Sequence, residues 1–147
     1  MIAYLDAGFL LTLLIRTPGS SLAQAVLRRL HAPFQLNFLH QLQVENLLAR
    51  TQLSSASPEQ AAGSEGHRLW RHYLAEGVFQ LSAADWDTAL RVAIKWNRQF
   101  SEPPPLPLLI LHPALAAVAG ATHFMSFDER SRSLAKAAGL KLSPEKL

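Results

Sequence analysis

Five short apolar segments alternate along the chain with longer segments of helical periodicity. They are 2–5, "FQLNFL" at 34–39, "VFQLS" at 78–82, "THFMSF" at 122–127 and "LKLS" at 140–143. No two-residue turn joins one segment to the next, so the pattern does not favour hairpins. Short strands separated by helices predict an α/β fold with a mainly parallel sheet of about five strands. Right-handed crossovers would place helices on both faces of that sheet.

Two low-complexity stretches predict connections between these elements. The small and polar residues of "SSASPEQAAGSEG", at 54–66, predict a loop before the helix "HRLWRHYLAEG" at 67–77. The prolines of "SEPPPLP", at 101–107, predict a rigid turn, because successive prolines cannot continue a helix.

Length and composition predict a single domain over 1–147. The chain has 147 residues, of which 49% are hydrophobic, which suffices for a sizeable core. It has no cysteine, which excludes disulfides and suits a reducing cytoplasm. The opening run "MIAYLDAGFLLTLLI" lacks the positive start of a signal peptide and is too short to span a bilayer, so no membrane partner is expected. The net charge of +3 permits nucleic-acid binding without requiring it.

Two acidic residues follow predicted strands. Asp6 follows the first apolar segment, and Asp128 follows "THFMSF". Because ligands of parallel sheets bind beyond the carboxyl ends of the strands, both acids are candidate binding residues. Each also precedes a predicted helix, where a carboxylate caps the first backbone N–H groups. The two roles can coexist in one side chain.

The segments "YLDAGFLLTLL", "LHQLQVENLL" and "LLILHPALAAVAGATHFMSFDER" carry the most specific pattern in the chain. They resemble successive motifs of the PIN domain of the VapC-like toxin ribonucleases, and the resemblance runs over nearly the whole chain. It implies a three-layer α/β/α sandwich and metal-dependent cleavage of RNA. It also implies a homodimer, a small antitoxin protein as partner, and RNA as substrate.

The resemblance implies a site for Mg²⁺ or Mn²⁺, which prefer oxygen ligands and activate water for attack on a phosphodiester. Asp6 and Asp128 match the first and last acids of the family pattern, as catalytic and metal-binding residues. Gln43 and Leu109 stand where the family has Glu and Asp. The predicted site therefore lacks two of its acids.

The hydroxyl residues that follow the first acid in the family are also replaced, by Ala7 and Gly8. Glu45 is the candidate replacement for the acid missing at position 43. Two positions along a helix rotate a side chain by about 200°, so Glu45 points nearly opposite to Gln43 unless a bulge intervenes. Gln43 itself offers only a neutral carbonyl oxygen.

Ordinary structural roles are expected for three further acids and for the histidines. Asp85 and Asp87 flank a helix start, and Glu102 lies in the proline-rich turn. His40 is expected to cap a helix or to bind the backbone, and His112 is expected in the core. The other histidines lack metal-ligand spacing.

Two functions follow from these residues. The first is a PIN-like domain with lost or weakened catalysis that serves as a binding or interaction module and needs no cofactor. The second is an active Mg²⁺- or Mn²⁺-dependent endoribonuclease that uses Asp6, Asp128 and Glu45. If the module binds RNA without cleavage, Arg50 could contact a phosphate. The other interpretation of Arg50 is a solvated cation at a helix end.

Overall fold

The computed structural model of the protein describes residues 2–30, 33–53, 57–99 and 106–145 and, of 57–60, the backbone alone. Seven helices and five strands lie within these ranges. In chain order they are β1 (Ala3–Leu5), α1 (Ala7–Leu14), α2 (Ser20–Arg28), β2 (Phe34–Leu36), α3 (Phe38–Leu53), α4 (Ser57–Ala75), β3 (Phe79–Leu81), α5 (Trp86–Gln99), α6 (Pro107–Val118), β4 (His123–Met125), α7 (Glu129–Ala137) and β5 (Lys141–Ser143). Glu102 and most of the predicted proline-rich turn lie outside the described residues.

Every strand pair in the described part of the chain is parallel. β1, β4 and β5 form a three-stranded sheet with β4 in the middle. β2 pairs with β3 in a second sheet. The predicted α/β class with five mainly parallel strands is confirmed. Hydrogen bonding divides these strands between two sheets, whereas the sequence predicted one.

The chain divides into two compact units. Unit 1 comprises residues 1–6 and 83–147, and unit 2 comprises residues 7–82. The three-stranded sheet belongs to unit 1 and the two-stranded sheet to unit 2. The single domain over 1–147 stays a prediction.

Unit 1 is built around β4 and three helices. Phe124 of β4 is fully buried and stacks on Tyr4 of β1, with ring centroids 5.8 Å apart. α6 packs against both α5 and α7, and α7 packs against β5. A second apolar cluster joins the three helices and contains Ala93, Ile110, Ala114 and Leu134. The small side chains in this cluster allow close packing between α5 and α6.

Unit 2 is built around aromatic residues of α4 and β3. The Trp70 ring lies 5.7 Å from that of Phe79, and the Tyr73 ring meets Phe79 edge-on at 5.4 Å. Phe9 of α1 and Leu48 of α3 are fully buried. The Trp70 indole N–H is buried and has no hydrogen-bond partner among the described residues. An unpaired buried donor costs about 1–3 kcal/mol, a cost that the packing of this ring must offset.

α3 begins two residues before the predicted helix start at His40. Asn37 precedes the helix, and its Oδ1 accepts a hydrogen bond from the Leu39 N–H at 3.0 Å. In return, the Nδ1 of His40 accepts from the Asn37 N–H at 3.0 Å. This reciprocal arrangement resembles a capping box, in which two backbone donors are satisfied together. The predicted strand over 34–39 therefore ends at Leu36, and His40 is the buried capping residue that the sequence suggested.

α4 begins at Ser57, inside the segment predicted to be a loop. Its two glycines lie against neighbouring helices. A Cβ on Gly63 would stand 2.6 Å from Cγ and 2.7 Å from the backbone N of Gln52, and one on Gly66 would stand 2.5 Å from Cδ2 of Leu48. The loop prediction for 57–66 is wrong, because close packing between α3 and α4 offsets the low helix propensity of glycine.

Gly63→Ala is expected to destabilise the protein by about 1–2 kcal/mol in urea denaturation. Overpacking costs about 1–3 kcal/mol, because the added methyl would overlap the Gln52 backbone. Replacing a helical glycine returns only about 1 kcal/mol. Arg71→Ala, at an exposed position of the same helix, serves as the control and should change stability by less than about 0.5 kcal/mol. An unchanged midpoint for Gly63→Ala would show that α4 can move away from α3 at no cost.

Candidate functional site

Asp6 directly follows β1 in unit 1. Its backbone N–H donates to the Met125 carbonyl oxygen at 3.0 Å, which extends the pairing of β1 with β4 by one residue. The residue is buried, with 6% of its surface exposed. The next two residues, Ala7 and Gly8, begin α1 and carry no hydroxyl. Burial of a carboxylate is costly unless hydrogen bonds or a cation compensate it. Asp6 is therefore a candidate site residue in an otherwise apolar segment.

Asp128 caps the N-terminus of α7. Its Oδ1 accepts a hydrogen bond from the Ser131 N–H at 2.7 Å. Its own N–H donates to the Oγ of Ser126 at 3.0 Å, which holds the connection from β4. The capping role expected from the sequence is therefore present. It uses one carboxylate oxygen of an exposed residue, so the cap and a bound ligand are compatible.

The parallel pairing of β1 with β4 brings both acids to one edge of the three-stranded sheet. Leu5 pairs with Met125 in register, and these are the last residues of their strands. Asp6 is the next residue after β1, and Asp128 follows β4 after Ser126 and Phe127. Both candidate residues therefore lie beyond the carboxyl ends of neighbouring strands, where ligands of such sheets bind.

Leu109 lies in the first turn of α6, close to the start of α7. Its carbonyl oxygen accepts a hydrogen bond from the Oγ of Ser131 at 3.3 Å. Ser131 is also the residue whose N–H binds Asp128. Position 109 therefore borders the helix cap that holds Asp128. Its aliphatic side chain has no atom that could bind a cation.

Gln43 and Glu45 belong to α3 in unit 2. Glu45 is exposed, and its Oε1 accepts a hydrogen bond from the Nε2 of Gln41 at 2.9 Å. Gln43 is partly buried. This difference in exposure is the one expected for residues about 200° apart on a regular helix. No bulge interrupts α3 at this point.

His112 belongs to the core of unit 1, as the sequence suggested. It is 6% exposed, and its Nδ1 lies 2.9 Å from the hydroxyl oxygen of Tyr4. The two rings meet edge-on, with centroids 5.8 Å apart. The pair links α6 to β1, which places the His112 ring in a structural hydrogen bond.

Asp85 and Asp87 have the structural roles expected at the start of α5. The Oδ1 of Asp85 accepts a hydrogen bond from the Thr88 N–H at 3.0 Å, directly before the helix. Hydrogen bonds from the backbone and side chain of Thr88 lower the pKa of Asp85. Asp87 stands in the first turn, where a negative charge interacts favourably with the helix dipole.

Arg132 is a buried residue of α7 that the sequence analysis did not single out. Its guanidinium donates to the carbonyl oxygens of Ser126 at 2.9 Å, Pro144 at 2.7 Å and Glu145 at 3.3 Å. Burial lowers the pKa of this guanidinium, and the nearby carboxylate of Glu129 opposes that effect. Arg132 therefore ties the connection that carries Asp128 to the chain that follows β5.

Arg132 lies on the buried face of α7. The buried residues of α7 are Ser131, Arg132, Leu134 and Ala135. An arginine on the buried face of a short amphipathic helix needs acceptors, since a buried charge without them is costly. The acceptors here are backbone carbonyls, which no residue pattern could have indicated.

The residues at this edge of unit 1 do not form a complete magnesium site. Among the described residues, no group of three or more His, Cys, Asp and Glu side chains is placed to hold a metal ion. Asp6 and Asp128 could each supply carboxylate oxygens to a hard cation. Leu109 could supply none, so the set does not fit a site for two ions.

Comparison of the chain with models of known protein families and with curated proteins found no match. No helix in the described ranges has the length and apolar character required to cross a membrane.

Proposed function

We propose that this chain is a PIN-like domain in which the acidic site of a metal-dependent endoribonuclease has lost part of its ligand set. In this view the domain is a binding or interaction module with weakened or absent catalysis. The observation that carries the proposal is the contrast at one sheet edge of unit 1. Asp6 and Asp128 follow neighbouring parallel strands, while the adjoining position 109 is a leucine.

Electrostatics support weak binding of divalent ions by such a site. Two unit charges about 4 Å apart interact by roughly 4 kcal/mol at an effective dielectric constant of about 20. A divalent ion doubles this attraction, so each missing carboxylate removes roughly 8 kcal/mol, before the energy needed to strip water from the ion is counted. Two carboxylates neutralise one divalent cation and leave no charge to attract a second.

If Mg²⁺ or Mn²⁺ binds, Asp6 and Asp128 are the residues that would hold it. The metal would polarise a phosphodiester and activate a water molecule. The hydrogen bond from the Ser131 N–H already occupies one carboxylate oxygen of Asp128. The buried position of Asp6 restricts that side chain and limits its access to water.

The alternative proposal is an active endoribonuclease that recruits Glu45 as a third acid. The exposed position of Glu45 and its hydrogen bond to Gln41 do not favour this role. RNA binding without cleavage belongs to the first proposal, of a binding module. A homodimer and an antitoxin partner are proposed because the family resemblance implies them.

Manganese titration combined with an RNA cleavage assay tests the proposal. The wild-type protein is expected to bind Mn²⁺ with a dissociation constant on the order of 1 mM or weaker. Asp128→Asn should weaken this binding further yet keep the helix cap, since asparagine caps as well as aspartate. RNA cleavage by the wild type should not exceed that of Asp6→Asn.

Asp87→Asn is the matched control, because it removes an exposed acid from α5. It should leave Mn²⁺ binding unchanged. Cleavage that requires Mn²⁺ and is lost in both Asp6→Asn and Asp128→Asn would overturn the loss of catalysis. Glu45→Gln would then show whether Glu45 serves as the third acid. Mn²⁺ binding that is equal in the wild type and Asp6→Asn would overturn the site itself.

A further inference from the structure

α5 presents two large aliphatic side chains to solvent on unit 1. Leu90 is 47% exposed and Ile94 is 56% exposed. They lie one helical turn apart and about 40° from each other around the helix axis. The buried side of the helix carries Ala89 and Ala93, and Ala93 packs against α6. Leu90 and Ile94 therefore form an apolar pair outside the core of the unit.

Three cations lie beside this apolar pair. Arg91, Lys95 and Arg98 are separated by one helical turn each, which places them within about 60° of one another around the axis. All three side chains are exposed. None of them forms an ion pair within the described part of the chain. The acid of α5, Asp87, lies in the first turn, so the exposed surface of the helix is basic beyond that turn.

The α5 strip consists of Leu90, Arg91, Ile94, Lys95 and Arg98. Its complement needs an aliphatic row that covers the apolar pair and anions along one side of that row. An amphipathic helix supplies both when its leucines recur at helical spacing and its Glu or Asp residues occupy one flank. Burial of the aliphatic groups would supply affinity, and the charges would supply orientation and specificity.

Two other occupants fit the strip less well. RNA would bring phosphates to the cations, but it has no aliphatic surface for Leu90 and Ile94, and unpaired bases stack on aromatic side chains. The aromatic residues of α5, Trp86 and Trp96, are half-buried. A second copy of the chain would bring its own cations to this surface, where like charges repel.

We propose that the α5 strip is a docking surface for an acidic amphipathic helix of another protein. The aliphatic row of that helix would cover Leu90 and Ile94, and its carboxylates would pair with the three cations. Because the cations lie on one side of the apolar pair, the strip also determines which flank of the bound helix is acidic. The inference goes beyond the proposed function, since it uses neither Asp6 nor Asp128 and holds whether or not catalysis is retained.

A synthetic peptide of about 18 residues, long enough to form a helix, is the probe. It carries leucines at helical spacing and glutamates along one flank, and its binding is followed by fluorescence anisotropy. The full chain is expected to bind it with a dissociation constant below about 100 μM at low ionic strength. A scrambled peptide of the same composition should bind at least about tenfold more weakly, because its leucines and glutamates no longer lie on separate faces.

Two double variants separate the apolar part of the strip from the ionic part. The serine variant, Leu90→Ser with Ile94→Ser, should raise the dissociation constant at least about tenfold, because the apolar area covered by the peptide is lost. The charge-reversed variant, Arg91→Glu with Arg98→Glu, should have an effect of the same order, because two attractions become repulsions. A peptide with lysine in place of glutamate should bind the charge-reversed variant more tightly than the wild type.

The controls are exposed residues of α2, in unit 2. Arg28→Glu with Arg29→Glu changes the net charge by the same amount as the charge-reversed variant. Leu22→Ser removes another exposed leucine, which is 39% exposed. Both controls should leave peptide binding unchanged, and all variants should keep the wild-type circular dichroism, since the substituted side chains are exposed.

Several outcomes would overturn the inference. These are failure of the full chain to bind the peptide, equal binding of the scrambled peptide, and equal losses in the α2 controls. Tighter binding of oligouridine RNA that is lost in the charge-reversed variant would assign the strip to RNA instead. A wild type that dimerises in sedimentation and becomes monomeric in the serine variant would assign it to a second copy. None of these outcomes bears on Mn²⁺ binding by Asp6 and Asp128, so failure here is distinct from failure of the proposed function.

Discussion

Leu109→Asp is expected to raise the affinity of the protein for Mn²⁺ by ten- to a hundredfold, or about 1.4–2.7 kcal/mol. Position 109 borders the helix cap of Asp128 through Ser131, so a carboxylate there adds a third negative charge near this sheet edge. The Coulomb attraction between a divalent ion and one carboxylate at about 4 Å is larger than this, roughly 8 kcal/mol, and dehydration of the ion and of the carboxylate offsets most of it. Calorimetric titration with MnCl₂ measures the change directly.

Leu109→Asn is the matched control, because it has the shape of aspartate without the charge. It should leave the affinity within about threefold of the wild type, since a neutral carbonyl adds little to the binding of a hard cation. Adding Asp6→Asn to Leu109→Asp should remove most of the gain. If Leu109→Asp binds Mn²⁺ no better than Leu109→Asn, position 109 does not share a site with Asp6 and Asp128.

The same variant should also link metal binding to stability. Without metal, the added carboxylate repels its acidic neighbours and should lower the melting temperature. Saturating Mn²⁺ should raise it again, because a ligand that binds only the folded state stabilises that state. The wild type should show a much smaller shift at equal Mn²⁺.

Arg132→Met is expected to destabilise the protein by about 2–3 kcal/mol. The substitution removes three hydrogen bonds from a charged donor and leaves the carbonyl oxygens of Ser126 and Pro144 buried without their partner. Methionine fills much of the same volume, so the loss reports on hydrogen bonding more than on a cavity. The free energy of unfolding from urea titration is the measurement.

Arg130→Met serves as the control for this prediction. Arg130 is exposed on the same helix and should contribute less than about 0.5 kcal/mol. Equal effects of the two substitutions would contradict the role assigned to Arg132. Since Arg132 holds the connection that leads to Asp128, Arg132→Met should also weaken Mn²⁺ binding by Leu109→Asp.

Much of the fold could be predicted from the sequence, in the segments where local signals and tertiary packing agree. Parallel strands separated by helices follow from the alternation of apolar segments. Gly120 and Gly139 follow the ends of their helices with positive φ, the backbone conformation that favours glycine. The prediction failed at α4. Gly63 and Gly66 look like loop residues in the sequence, yet they are the points where α4 approaches its neighbours. Only the partner helix makes glycine favourable there.

Part of the candidate site could also be predicted from the sequence. Asp6 and Asp128 could be named because acids at strand ends are visible in the sequence, and the parallel register then brings them to one edge. Arg132 could not be named, because its partners are backbone carbonyls brought together by folding. The hydrogen bond from the Ser131 hydroxyl to the Leu109 carbonyl oxygen could not be predicted from the sequence either.

The sequence by itself determined the chemical types and the order of the elements: five strand segments and the two acids that follow two of them. These are local properties, set by residue identity and periodicity. The tertiary structure decided which strands pair, where α4 begins and which face of α3 remains exposed. These depend on contacts between residues distant in the chain, whose energies no single segment contains.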